Sequence, residues 1–191
     1  MFITIYGVNN MGKSTHAQLL VENLQRMGKE AVYVKFPVYK EHPTGPYLDS
    51  ALRAPKQVIS EEELQLWFVL NRHQFQDSLK AYLDKGVIVV AEDYIGTGIA
   101  WGWAKGCDID WLKEMNRFLI KEDLSILITG ERAMHAVEPE HIHETDDEMI
   151  NLVRKHLLIL AEERKWQRVE LQPAKHQTQK LILDVVKKHI S

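Results

Sequence analysis

One stretch near the N-terminus constrains the fold more than any other part of the chain. Residues 7–15 read GVNNMGKST, so two glycines are separated by four residues and are followed by a lysine and two hydroxyl residues. The apolar run FITIY at residues 2–6 precedes this loop, and residues 13–27 have apolar side chains at helical spacing. A strand, a G-x-x-x-x-G-K-[ST] loop and a helix in this order are typical of a phosphate-binding P-loop.

The residue types of this loop indicate its ligand. Glycine lets the main chain approach a phosphate closely, and backbone N–H groups at the start of a helix attract anions. Lys13 would neutralise the outer phosphates, and Ser14 would ligate Mg²⁺ through its hydroxyl. We therefore expect ATP, or another nucleoside triphosphate, with Mg²⁺. The predicted nucleotide-binding residues are Gly7, Asn9, Asn10, Met11, Gly12, Lys13, Ser14 and Thr15.

Apolar runs and helical patterns alternate along the rest of the chain. Strands are predicted at 31–36, 87–91, 124–129 and 168–171, and helices from Ser60 to about Asp84 and over 146–164 and 174–189. Because strands that alternate with helices form parallel sheets with right-handed crossovers, we predict a three-layer α/β fold with a parallel five-stranded sheet. Ligands bind beyond the carboxyl ends of such strands, which brings together three predicted loops at 7–15, 36–46 and 92–102.

Length and composition limit the remaining possibilities. The chain has 191 residues, a formal net charge of −3 and a single cysteine, Cys107. The length suits one domain over residues 1–191, and the charge does not favour a nucleic-acid polymer as partner. A lone cysteine excludes an internal disulfide and fits the reducing cytoplasm. No apolar run approaches the roughly 20 residues that span a bilayer, so no membrane segment is expected.

Two further stretches predict a second binding pocket at the same rim. Phe68 and Arg72 lie four residues apart on one helix face, where a ring can stack on a base and a guanidinium can donate to its carbonyl oxygens. Glu92 and Asp93 follow the strand at 87–91, where a carboxylate can orient an attacking oxygen or a metal-bound water. Taken singly, these residues could also be a core phenylalanine, a surface arginine and two solvated acids.

A third stretch, KFPVYKEHPTGPYLD at residues 35–49, follows the second predicted strand. Phe36 and Pro37 would wall a pocket, and Lys40 would bring positive charge to it. The alternative for this stretch alone is a plain surface loop.

Together with the P-loop, these stretches resemble the thymidylate kinase family over about residues 1–130, and more faintly to the end of the chain. The family's order and spacing are matched by FP at 36–37, by Phe68 followed by NR at 71–72, and by VVAEDYIGTGIAWGWAKG at 89–106. The resemblance implies transfer of the γ-phosphoryl group of ATP to dTMP or a related pyrimidine deoxynucleotide, with Mg²⁺. It also implies a homodimer with the long helix at 61–84 as the contact surface.

The resemblance assigns expected roles to individual residues. Phe68 would stack on the pyrimidine, Arg72 would bond to the base carbonyl, and Tyr94 would close over the sugar and exclude 2′-hydroxyls. Lys13 and Glu92 are the expected catalytic residues, and Ser14 and Glu92 are the expected metal ligands. The expected substrate-binding residues are Phe36, Pro37, Lys40, Phe68, Arg72, Asp93, Tyr94 and Gly98.

The chain departs from the family pattern where positive charge is expected. The family's Asp-Arg-aromatic motif here reads Glu92-Asp93-Tyr94, so an aspartate replaces the arginine expected at the acceptor phosphate. Tyr39 stands where another arginine usually follows the FP pair. Residues 133–153, which include a predicted lid at about 133–150, contain six acids and three histidines but no lysine or arginine.

Three interpretations of these losses are open at the level of sequence. In the first, Lys40, Arg53 or Arg132 replaces the missing arginines from a shifted position. In the second, the acceptor is a deoxynucleoside, which needs no phosphate clamp. In the third, the chain is a nucleotide-binding protein with little catalytic activity. We favour the first, because base-binding and triphosphate-binding features are retained together.

Overall fold

The computed structural model describes residues 1–130 and 147–190. Within them, five strands form one parallel sheet in the order β2-β3-β1-β4-β5. The strands are β1 (Phe2–Tyr6), β2 (Ala31–Lys35), β3 (Ile88–Glu92), β4 (Leu124–Thr129) and β5 (Gln167–Glu170). The predicted α/β class with a parallel five-stranded sheet is therefore confirmed.

Helices flank this sheet on both faces. In the described part of the chain they are α1 (Lys13–Arg26), α2 (Thr44–Arg53), α3 (Glu61–Asp84), α4 (Ile95–Ala104), α5 (Ile109–Met115), α6 (Asp147–Glu163) and α7 (Lys175–Lys187). Helix α1 packs with α7, whereas α4 packs with both α3 and α6. Because crossovers between parallel strands are right-handed, these two groups of helices lie on opposite faces of the sheet.

The strand sequences follow their positions in the sheet. The central strands β1 and β3 are buried at every residue, as expected for continuous apolar runs covered on both faces. The edge strands β2 and β5 carry exposed residues. Since β1 pairs in parallel with both β3 and β4, the carboxyl ends of these strands lie along one edge of the sheet, which is also the edge that carries the P-loop.

The prediction of a loop over 36–46 is wrong from Thr44 onward, where α2 begins. Gly45 and Pro46 suggested a loop, but both lie in the first turn, where a helix needs no N–H donor for its own ladder. A Cβ added to Gly45 would lie 2.3 Å from the carbonyl oxygen of Tyr39. The glycine is therefore required by close packing of the preceding loop.

The prediction of a loop over 92–102 is wrong from Ile95, where α4 begins. Glycine weakens an isolated helix, and this helix contains three, at 96, 98 and 102. Their lack of a side chain instead allows neighbouring groups to pack closely: an added Cβ on Gly98 would lie 2.5 Å from Nη2 of Arg72. Tertiary packing, which the local pattern does not report, stabilises this helix.

Helix α3 begins where the sequence predicted. The Ser60 hydroxyl accepts a hydrogen bond from the backbone N–H of Glu63 at 3.1 Å, which is the serine half of a capping box. The Glu63 carboxylate accepts from the indole N–H of Trp67. The helix has 24 residues and carries Phe68 and Arg72 near its middle.

Most of the predicted lid at about 133–150 lies outside the described residues, and only 147–150 are seen, as the first turn of α6. The described helices include none that is both long and apolar enough to cross a membrane.

Candidate active site

The P-loop joins β1 to α1 at the carboxyl edge of the sheet. Gly12 precedes the first turn of α1 with a φ of 74°, a left-handed conformation that glycine adopts without strain. Lys13 is buried, and its Nζ donates to the carbonyl oxygen of Val8 at 3.1 Å. The lysine is therefore held against the loop's own main chain, beside the positive end of α1.

Glu92 ends β3 next to the P-loop and is buried. Its Oε1 accepts from the Ser14 hydroxyl at 2.9 Å and lies 3.3 Å from Nζ of Lys35. Its Oε2 accepts from the hydroxyl of Tyr33. Burial raises the pKa of Tyr33, and the hydrogen bond to Glu92 raises it further, so the tyrosine remains a donor. One carboxylate thus connects the P-loop to β2.

Asp93 turns the chain out of β3 toward α4 with a φ of 58°. Its Oδ1 accepts from the Thr97 hydroxyl at 2.6 Å, and its Oδ2 lies 3.8 Å from Nζ of Lys13. Burial raises the pKa of Asp93, although the neighbouring Lys13 opposes that shift. The residue that stands in place of the family's arginine is therefore a counter-ion of the P-loop lysine.

Arg72 and Tyr94 form the buried floor of the cleft on the side of α3 and α4. Arg72 is 5% exposed, and its Nη1 donates to Oδ1 of Asn116 at 3.1 Å. Burial lowers the pKa of Arg72, and the nearby Tyr94 opposes this shift. The Nε of Arg72 and the hydroxyl of Tyr94 are both buried without a hydrogen-bond partner among the described residues.

Aromatic packing fixes the wall beside this floor. The rings of Phe36 and Tyr94 lie 4.8 Å apart, and Phe36 also packs edge-on against Phe75 with centroids 5.6 Å apart. These contacts hold the start of the loop after β2 against α3.

Most of these groups line one cleft of about 300 Å³ between the P-loop and α3, a volume at the lower end for small-molecule sites. The sequence-predicted residues that line it are Asn9, Asn10, Lys13, Ser14, Phe36, Pro37, Phe68, Arg72, Glu92, Asp93, Tyr94 and Gly98. Four predicted P-loop residues belong to the loop but do not line the cleft: Gly7, Met11, Gly12 and Thr15.

The structure does not bring Lys40 into this cleft. Lys40 is exposed and does not line the cleft, so it does not lie with the other predicted substrate-binding residues. Of the other expected substitutes, Arg53 pairs with Asp49 at 2.8 Å on the exposed surface of α2, and Arg132 lies outside the described residues. The lysine that the structure brings to the cleft from this part of the chain is Lys35.

Sequence reasoning missed several lining residues. Lys35 ends β2 at the ligand-binding rim, a position that its place after an apolar run could have indicated. Lys105 and Glu61 also line the cleft and form an ion pair at 2.9 Å. No local signal links those two, since they are 44 residues apart in sequence. The remaining missed residues are Tyr39, Leu52, Leu64, Gln65, Thr97 and Trp101.

The donors around Ser14 and Glu92 suit a small divalent cation. A hydroxyl and a carboxylate oxygen lie 2.9 Å apart at the start of α1. Mg²⁺ usually takes one or two protein oxygens and completes its shell with phosphate oxygens and water. Among residues 1–130 and 147–190, no group of three or more histidine, cysteine, aspartate and glutamate side chains could hold a metal by itself.

The fold and the cleft together define a P-loop kinase. A parallel five-stranded sheet carries a P-loop after β1, and a separate wall on α3 and α4 faces it across one cleft. A family model described as thymidylate kinase matches residues 5–182. A probable thymidylate kinase of Thermococcus kodakarensis is 32% identical over 165 residues, which are 81% of this chain and 80% of that protein. The chain belongs to the thymidylate kinase family.

Other relatives agree with this assignment. A putative thymidylate kinase of Invertebrate iridescent virus 6 is 33% identical over 131 residues, 69% of this chain and 61% of that protein. The solved structure of thymidylate kinase from Candida albicans superimposes with a TM-score of 0.87 over 98% of this chain and 91% of its own, at 21% identity. The resemblance inferred from the sequence is confirmed, and the structural match supports the P-loop kinase fold.

Proposed function

We propose that the protein transfers the γ-phosphoryl group of ATP to dTMP, giving dTDP and ADP. Family membership supports this activity, and one observation of the structure carries it. The P-loop lysine Lys13, the half-buried ring of Phe68 and the buried guanidinium of Arg72 line the same cleft. A triphosphate site and a flat-base site that share one cleft can align donor and acceptor for in-line transfer.

The donor side of this proposal is the P-loop. Lys13 exchanges the Val8 carbonyl and the Asp93 carboxylate for the β- and γ-phosphates of ATP. Ser14 and Glu92 would hold Mg²⁺, which supplies positive charge to the phosphoryl group during transfer. Glu92 also orients an oxygen of the acceptor, a role supported by its position at the end of β3 beside the cleft.

The acceptor side lies between α3 and α4. Phe68 stacks on the pyrimidine, and Arg72 donates to a base carbonyl through its guanidinium. Tyr94 closes the pocket below the sugar, with Phe36 and Pro37 as the adjoining wall. Binding and orientation account for the chemistry, so no covalent intermediate is expected.

A homodimer in the cytoplasm completes the proposal. Leu66 and Leu70 are 46% and 50% exposed on α3, four residues apart on one face, which suits burial against a second copy. Cys107 is a free buried thiol, as is usual in a reducing compartment.

The decisive experiment is an acceptor panel assayed with Mg-ATP by coupled ADP release. We expect turnover with dTMP well above that with thymidine, dCMP or dGMP. Lys13→Met should abolish it, whereas Lys29→Met, an exposed lysine in the turn after α1, should behave as wild type. Faster phosphorylation of thymidine than of dTMP, or ATP hydrolysis that is indifferent to the acceptor, would refute the proposal.

A further inference from the structure

The proposed reaction needs a cation at the acceptor phosphate, and Asp93 stands where the family pattern has an arginine. Among the described residues, the side chains that bring positive charge to the cleft are those of Lys13, Lys35, Arg72 and Lys105. These four side chains differ in the contacts that each already makes with other residues of the protein.

Three of them have other partners or other positions. Lys13 belongs to the P-loop and faces the donor phosphates. Arg72 is buried and bonded to Asn116 on the base side of the cleft. Lys105 forms an ion pair with Glu61 at 2.9 Å, and both side chains are largely buried, at 16% and 11% exposed. Glu61 also accepts hydrogen bonds from Gln57 and Gln65, so this pair is fixed at the start of α3.

Lys35 is different because its ammonium reaches the open part of the cleft. It ends β2, its side chain is 51% exposed, and its Nζ lies 3.3 Å from Oε1 of Glu92. A lysine ammonium is charged at neutral pH, so this side chain brings a positive charge to the rim.

Strand register explains how this lysine comes to lie beside the replaced arginine position. Lys35 and Glu92 are direct partners on the paired parallel strands β2 and β3, and Asp93 is the next residue after Glu92. Positions 35 and 93 are thus at the ends of adjacent strands, roughly 5 Å apart in the hydrogen-bonding direction of any sheet. The positive charge that Asp93 does not provide is therefore provided by Lys35 on the neighbouring strand.

We propose that Lys35 binds the 5′-phosphate of the acceptor monophosphate, in the place that the family pattern gives to the arginine replaced by Asp93. The proposal rests on the dTMP kinase function proposed above. Glu92 keeps the ammonium at the rim before the acceptor arrives, and the phosphate then becomes a second anionic partner of Lys35. Lys35, and not Lys40, then determines whether a monophosphate is preferred to a nucleoside.

The test measures dTMP and thymidine binding by calorimetry without ATP or Mg²⁺, together with steady-state kinetics. Lys35→Met keeps most of the length of the side chain and removes its charge. It should raise Kd and KM for dTMP roughly 10- to 100-fold, as expected for loss of a charged hydrogen bond, with thymidine affinity and the KM for ATP almost unchanged. Lys35→Arg should retain dTMP affinity, and Lys40→Met and Lys29→Met should resemble wild type.

A rescue experiment separates a phosphate contact from a structural role. Asp93→Arg in the Lys35→Met background should restore dTMP affinity without improving thymidine binding. The role of Lys35 is refuted if Lys35→Met leaves dTMP affinity unchanged, weakens thymidine equally, or has a smaller effect than Lys40→Met. If wild type turned over no monophosphate yet bound dTMP in a Lys35-dependent way, the proposed function would fail and the role of Lys35 would stand.

Discussion

Glu92 makes three polar contacts at the rim of the cleft. It accepts hydrogen bonds from Ser14 and Tyr33 and pairs with Lys35, so the P-loop, β2 and β3 meet at one carboxylate. The Glu92 side chain can be buried here because each of its two oxygens has a donor. Removal of Glu92 would leave these donors without their acceptor, which makes the residue structural as well as part of the proposed site.

Gly98→Ala tests how closely the acceptor pocket is packed. The added Cβ would lie 2.5 Å from Nη2 and 3.1 Å from Nη1 of Arg72, so the buried guanidinium must move. We expect the KM for dTMP to rise about tenfold with the KM for ATP unchanged, and the free energy of unfolding to fall by about 1–3 kcal/mol, as in other overpacked cores. Kinetics and urea unfolding measure the two effects.

Gly96→Ala is the matched control on the same helix. Its Cβ would lie 2.3 Å from the ring of Trp166, on the side of α4 away from Arg72, so stability should fall without a rise in the KM for dTMP. An unchanged KM in Gly98→Ala, or the same rise in Gly96→Ala, would show that Arg72 is not positioned by this contact.

At the scale of elements, α4 depends on its neighbours on both sides. It packs with α3 on the side of the cleft and with α6 on the other. The ring of His156 on α6 stacks on Trp103 at 3.7 Å with planes 11° apart, and its Nδ1 lies 3.3 Å from the carbonyl oxygen of Ala100. A helix with three glycines is thereby stabilised by side chains that other elements provide.

The stability of this contact should depend on pH. Burial lowers the pKa of His156, and the nearby Lys155 lowers it further, whereas the hydrogen bond to the Ala100 carbonyl oxygen opposes the shift. The unfolded chain, whose histidines titrate near pH 6.5, therefore takes up the proton first. The neutral His156 ring makes its full contribution to the free energy of unfolding above about pH 6.5. That contribution is lost as the pH falls from there toward the lowered pKa of His156 in the folded state.

Urea midpoints at pH 7.5 and pH 5.5 measure this effect. His156→Phe should reduce the loss of stability between the two values, while His42→Phe, at an exposed histidine, should leave it unchanged. Part of the loss should persist, because burial also lowers the pKa of His16, which pairs with Gln179 between α1 and α7. An unchanged pH dependence in His156→Phe would contradict the assignment.

At the scale of the whole molecule, one core spans the sheet and every described helix except α2, while an apolar stripe on α3 remains exposed. Leu66 and Leu70 form that stripe on α3, the same helix whose opposite side lines the cleft through Phe68 and Arg72. Contact between two copies along α3 would therefore act directly on the helix that positions the acceptor.

The double variant Leu66→Glu/Leu70→Glu should convert the proposed dimer to a monomer, because it places two charges on the stripe. Sedimentation at micromolar concentration measures the change. Leu181→Glu on α7, a leucine of similar exposure at 41%, is the matched control and should leave the dimer intact. A wild-type protein that sediments as a monomer, or a double variant that stays dimeric, would rule out this surface.

The sequence by itself determined whatever depends on neighbours within a few residues. Continuous apolar runs identified the buried strands β1, β3 and β4, the P-loop spacing identified the start of α1, and Ser60 identified the start of α3. A spacing of four put Phe68 and Arg72 on one helix face, and both line the cleft. Local geometry governs these features, so the pattern is enough.

Tertiary structure alone decided which distant groups meet. The glycines of α4 lie in a helix because Arg72 and other side chains pack where a Cβ would be. Lys35 lies in the cleft and Lys40 does not, because the register of β2 on β3 sets Lys35 beside Glu92. Lys105 and Glu61 pair across 44 residues. Electrostatic attraction depends on distance in space, and only the folded chain brings these charged residues close together.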